Sequence, residues 1–135
     1  AIPFDLADMD THASAIEAVL QRHGRIDCVI NNAGIASPAR GDFLDLEPQA
    51  FDAVIGTNLR GTMFFTQAAV RVMLKAEPGP YRSVQFITSA SAVLASPERL
   101  DYCVSKAGLS MFARGLALRL AGDAIDVFEI RPGPI

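Results

Sequence analysis

The chain has 135 residues, half of them apolar and a fifth charged, which is the composition of one folded domain and excludes a disordered chain. Its net charge of −3 gives no basic field for nucleic acid or for an anionic membrane surface, and no apolar run approaches the ~20 residues of a membrane helix. Two cysteines, Cys28 and Cys103, make no disulfide framework, and the opening Ala1-Ile2-Pro3-Phe4-Asp5 has no secretory pattern, so a cytoplasmic protein with two buried thiols is expected.

Helical and extended patterns alternate along the chain. Asp10-Thr11 opens a helix, Ile16, Val19 and Leu20 follow at helical spacing, and Gly24 stops it. The two histidines of this helix, His12 and His23, read as solvated side chains. Ile26 to Asn31 is a short, mostly apolar run that predicts a buried strand, with Asn32-Ala33-Gly34 as the turn leaving it. Residues 35–47 hold Pro38, Gly41 and several polar residues and read as loop. Pro48 suits a first helical turn, and the helix it opens runs, with a kink, to about Lys75. Pro78-Gly79-Pro80 is a surface turn. Ser83 to Thr88 is a second strand, 90–98 a loop, about 99–121 a long helix followed by Gly122, and Ile125 to Ile130 a third strand. There is no internal repeat or low-complexity tract.

Strands separated by helices long enough to cross over imply a parallel sheet, and ligands of such sheets bind beyond the carboxyl ends of the strands. Three segments sit there: Asn32-Ala33-Gly34, Ser89 with its loop, and Pro132-Gly133-Pro134-Ile135.

Two helices carry polar residues on apolar stripes. Asn58 falls in line with Phe51, Val54, Ile55, Thr62, Phe65, Ala69 and Val72, so it is either a satisfied core amide at the kink or a functional group. In the long helix, Leu109, Ala113, Leu116, Ala117 and Leu120 form one face, and stepping back along it lands on Tyr102 and Lys106, four residues apart. Only two of the chain's twelve basic residues are lysines, Lys75 and Lys106. A lysine on the buried side of a helix is costly unless it has a partner or a task. Val104, Met111, Phe112 and Leu118 make a second apolar face, which predicts a homodimer or homotetramer.

These residue types suit proton transfer to a carbonyl. Tyrosine titrates near 10, and an ammonium one turn away stabilises its phenolate, which makes Tyr102 a usable general acid or base. Ser89 can donate to a carbonyl oxygen as it becomes an alkoxide. Asn58 could hold water near Lys106. The set contains no metal-ligand cluster, activated thiol or Ser-His-Asp arrangement, so a nicotinamide must carry the hydride.

The sequence resembles the classical short-chain dehydrogenases/reductases, and within them bacterial proteins of the 3-oxoacyl-acyl carrier protein reductase type. The matching pieces are Asp5-Leu6-Ala7-Asp8, Asn31-Asn32-Ala33-Gly34, Asn58-Leu59-Arg60-Gly61, Ser89, Tyr102-Cys103-Val104-Ser105-Lys106 and Arg131-Pro132-Gly133-Pro134-Ile135. The resemblance implies a catalytic tetrad of Asn58, Ser89, Tyr102 and Lys106. It implies cofactor contacts from Asp5 and Leu6 to the adenine, and from Asn32 and Gly34 near the adenosine ribose. It further implies contacts from Tyr102 and Lys106 to the nicotinamide ribose, and from Pro132, Gly133 and Ile135 at the carboxamide end. It implies NADP or NAD, with NADPH favoured, and a carbonyl substrate that is a small molecule or is held on an acyl carrier. No glycine-rich phosphate loop occurs in the sequence, and the family places that loop ahead of Asp5. Residues 1–135 therefore correspond to the central part of a single NAD(P)-binding Rossmann-like domain. Its fold would be α/β, a doubly wound parallel sheet, incomplete, without the first βαβ unit and the last strand. Two other readings are a non-catalytic scaffold retaining the fold core and a sugar-nucleotide epimerase using the same Tyr-Lys pair.

Overall fold

The computed structural model describes residues 1–133. Four helices and three strands follow in order: α1 (Asp10–His23), β1 (Cys28–Asn31), α2 (Pro48–Ile55), α3 (Thr62–Lys75), β2 (Ser83–Ile87), α4 (Leu100–Leu120) and β3 (Asp126–Ile130). The strands make one parallel sheet in the order β1-β2-β3, with Val29 beside Val84 and Val84 beside Val127. This is the α/β arrangement expected, one side of a doubly wound sheet.

Local chemistry sets the element ends. Gly24 takes φ 77°, the left-handed region that glycine enters freely, and returns its N–H to the Leu20 carbonyl. Pro48 stands at the start of α2, where its missing N–H costs nothing. The kink expected in the helix ending at Lys75 is a π-helical turn, Gly56–Gly61, inserted between α2 and α3. Arg82 donates to the carbonyls of Met73 and Asp123, both at 2.8 Å, and so ties the end of α3 to the loop after α4.

The core lies on one face of the sheet. Val84, Phe86, Ala69 and Met73 are fully buried, and Leu109, Ala113 and Leu120 of α4 close over them. Phe112 packs edge-on against Phe86 at 5.5 Å, so it belongs to this core and not to the outer apolar face. Its place follows from the helical step, three residues after Leu109 and four before Leu116. The outer face of α4 keeps Val104, Met111 and Leu118 exposed. On the sheet's other face Ile30, Phe128 and Ile130 are 59%, 45% and 47% exposed, and parallel strands apolar on both faces are those of sheets covered on both sides.

Two further expectations need correction. Cys28 is exposed, because alternate residues of β1 point away from the covered face, whereas Cys103 is buried as expected. His12 is buried at 4% exposure, while His23 is solvated. The segment before α1 folds back so that His12 Nε2 donates to the Leu6 carbonyl at 2.9 Å, with Phe4 and Phe65 edge-on to the ring. Helical periodicity cannot register a cover supplied by residues outside the helix. Among the described residues no helix is long and apolar enough to cross a membrane.

The Leu6 carbonyl also presses against Gly61, where a Cβ would overlap it. Gly61→Ala must displace this backbone and is expected to lower stability by about 1–3 kcal/mol, read by denaturant unfolding.

Candidate active site

A cleft of about 490 Å³ opens beyond the carboxyl ends of the three strands, within the ~300–1,000 Å³ range of small-molecule sites. It lies where the sequence places it. Asn32 and Gly34 follow β1, Ser89 follows β2, Pro132 and Gly133 follow β3, and Tyr102 and Lys106 project from the first turns of α4.

Lys106 is 5% exposed and donates to the Ile87 carbonyl at 3.1 Å. An ammonium has three donors, so two remain for the cleft that Lys106 lines. Burial lowers its pKa. Its Nζ lies 5.6 Å from the centroid of the Tyr102 ring, and the Arg99 guanidinium carbon lies 5.4 Å from the same centroid. The half-buried phenol therefore has two cations beside it.

Ser89 has an extended backbone, and its Oγ accepts from Ser91 N at 3.0 Å, which leaves the hydroxyl proton to be donated. The next residue fixes the cleft's far rim, since Ala90 N donates to the Pro132 carbonyl at 2.9 Å.

Asn58 is fully buried in the π-helical turn. Its Oδ1 accepts from Ile35 N at 2.8 Å, and its Nδ2 donates to the Ile35 carbonyl at 2.9 Å and to Ser105 Oγ at 3.2 Å. Both side-chain donors are thus taken by protein partners. Beside it, a Cβ on Gly34 would stand 3.1 Å from Asn58 Oδ1 and 3.6 Å from Lys106 Nζ. One level below, Thr66 donates to Asn31 Oδ1 at 3.2 Å and holds that side chain inward.

Asp5 and Leu6 do not join the cleft. Asp5 Oδ1 accepts from Ala7 N at 2.9 Å in the turn before α1, and the Leu6 carbonyl is held by His12. Ile135 lies outside the described residues. Two groups near the cleft have no role assigned by the sequence reading. Arg99 lines it from the turn before α4. Asp101, 2% exposed, accepts from Ser37 Oγ at 2.5 Å and from Tyr102 N at 2.7 Å, which fastens the loop after β1 to the start of α4. Ser37 and Asp101 are far apart in sequence, and only an acid placed just before Tyr102 could have hinted at the bond.

Below the rim, Glu129 accepts from Arg131 and Thr88, each at 2.8 Å, while Arg131 also donates to Ser110 of α4 at 2.9 Å. The Arg131 guanidinium, assisted by Thr88 and Ser110 hydroxyls, holds the Glu129 carboxyl down at about 2.

The family model for short chain dehydrogenases matches residues 1–135. A 3-oxoacyl-[acyl-carrier-protein] reductase of Thermotoga maritima is 34% identical over 129 residues, which are 96% of this chain and 50% of that protein. The crystal structure of a 3-oxoacyl-[acyl-carrier protein] reductase from Brucella melitensis superposes with a TM-score of 0.97 at 55% identity, covering 99% of this chain and 55% of that one. A second Brucella melitensis structure of that reductase, in complex with NAD, gives 0.96 at 55% identity and covers 98% and 53%. The chain spans about half the length of the relatives it matches.

Because folding depresses the Glu129 pKa from 4.5 to about 2, the stability this group contributes is present above about pH 4.5 and lost as pH falls toward 2. Solvent around the partly open Arg131 limits it to about 1–2 kcal/mol. Glu129→Gln is expected to remove that amount at pH 7 and to flatten the acid limb between pH 4.5 and 2, as read by urea unfolding across this range.

Proposed function

We propose a reaction for this chain from one premise: it belongs to the short-chain dehydrogenase family. The reaction is the interconversion of a ketone and a secondary alcohol with NAD or NADP as hydride partner. The observation that carries it is the buried Lys106 beside Tyr102 in the cleft that Ser89 also lines.

The cleft suits the ribose end of such a cofactor. Lys106 keeps donors for ribose hydroxyls, and Gly34 leaves open the wall that a Cβ would crowd against Asn58 and Lys106. On this reading Asn32 lies toward the adenosine ribose and Pro132 and Gly133 toward the carboxamide, all three lining the cleft, while Asp5, Leu6 and Ile135 remain contacts that the family resemblance suggests. The Brucella melitensis relative in complex with NAD supports a nicotinamide cofactor. The sequence holds no glycine-rich loop for the pyrophosphate. When bound, the nicotinamide supplies or accepts the hydride.

Tyr102 holds the proton at its phenol oxygen and gives it to the carbonyl oxygen in reduction, or takes it from the hydroxyl in oxidation. The Lys106 ammonium stabilises the phenolate left behind. Ser89 donates a hydrogen bond from its free hydroxyl to the substrate oxygen as negative charge grows there. Asn58 is a positioning residue, holding Ile35 and the turn after β1 against α4. The substrate is a small-molecule or acyl-carrier carbonyl compound, a reading supported by the relatives named 3-oxoacyl reductases. Association into a homodimer or homotetramer is supported by Val104, Met111 and Leu118, which leave the outer face of α4 apolar.

In the full-length enzyme, Tyr102→Phe is expected to lower kcat by about 10²–10⁴-fold while the cofactor Kd moves less than about threefold. Steady-state rates and a cofactor titration check both, and near-normal turnover would sink the assignment.

A further inference from the structure

The cleft carries a charge imbalance that proton and hydride transfer do not use. Arg99 stands at its wall with its guanidinium carbon 5.4 Å from the Tyr102 ring centroid. Among the described residues no carboxylate comes within 4 Å of this guanidinium. No acidic residue lines the cleft, whose two charged groups are Arg99 and Lys106. Arg99 also borders the neighbouring groove, which Asp42, Asp45, Glu47, Glu98 and Asp101 line, but none of these carboxylates comes within 4 Å of its guanidinium, and Asp101 is engaged by Ser37 and the Tyr102 amide. Lys106 already has the Ile87 carbonyl and the phenol as neighbours, whereas the Arg99 guanidinium lies against the face of Tyr102 and makes no hydrogen bond among the described residues. Ile35, Leu94 and Ala95 make adjoining wall apolar, which strengthens any ion pair formed against it.

We propose that Arg99 sets the substrate class: the cleft takes oxo or hydroxy compounds bearing a carboxylate close to the reacting carbon, such as 2-oxo or 3-oxo acids. This rests on the oxidoreductase reading above. The proposal follows from where the two partners must sit. The reacting oxygen has to meet Tyr102, and the planar guanidinium beside that ring offers paired donors that match a carboxylate's two oxygens. A neutral ester, or the thioester of a carrier-bound substrate, presents no charge to Arg99, so the proposal selects the small-molecule substrate of the two kinds named above.

The test uses the full-length enzyme with its nicotinamide cofactor and pairs of 2-oxo and 3-oxo acids with their methyl esters. Wild type is expected to favour each acid over its ester by about tenfold or more in kcat/KM. Arg99→Gln should lower kcat/KM for the acids about 10–100-fold more than for the esters, mainly through KM, and Arg99→Lys should recover part of the difference. Equal losses for acid and ester, or a fall in cofactor affinity that accounts for the loss, overturn the proposal. So does a wild type that prefers the esters, and that result leaves the oxidoreductase reading standing. A wild type that turns over neither acids nor esters also overturns the proposal.

Discussion

The fully buried side-chain amide of Asn58 meets both main-chain polar atoms of the exposed Ile35, and the cleft depends on that contact. The turn after β1 has no strand partner for its backbone at this point, and a buried N–H or C=O left unpaired costs about 1–3 kcal/mol. Asparagine is the residue that can return a donor and an acceptor to one peptide backbone in this way. Its spare donor reaches Ser105, so one side chain joins the turn after β1, the π-helical turn and α4. The π-helical turn is what turns this position inward while α2 and α3 keep their own apolar faces.

Lys106 can be buried because the same arrangement gives it an acceptor at the end of β2 and an aromatic face one turn away. The desolvation that lowers its pKa is the physical counterpart of its nearness to Tyr102, since both follow from placing a cation under a cleft. Around this pair the rim is held by bonds between segments distant in sequence. Ala90 reaches Pro132, Ser37 reaches Asp101, and Arg131 joins Glu129 to Ser110. Each cross-links two segments around the site and so restrains them, as a preorganised site requires.

Much of this was legible because it is periodic or local. Asn58 stands out as a polar residue on an apolar stripe, and Tyr102 and Lys106 stand out through their four-residue spacing on a helix face. Gly24 and Pro48 mark helix ends through backbone chemistry that needs no tertiary context. His12, Cys28 and Phe112 were misplaced for physical reasons that differ. His12 is covered by a segment outside its helix, Cys28 is on the uncovered side of a strand, and Phe112 is on the inward arc of a helix with apolar residues on two sides. Asp5 and Leu6 fall outside the cleft because their turn packs on α1 and the π-helical turn.

The sequence by itself determined the alternation of strands and helices, the parallel sheet, the line of segments at the strand ends and the residues fit for proton transfer. These depend on side-chain period and residue chemistry, which are properties of neighbours in the chain. Only the tertiary structure decided that Asn58 is engaged by Ile35, that Asp101 holds Ser37, and that Arg99 faces Tyr102 with no carboxylate among the described residues paired to it. Those contacts join residues brought together by packing, where hydrogen-bond geometry and the exclusion of water, not spacing along the chain, select the partner.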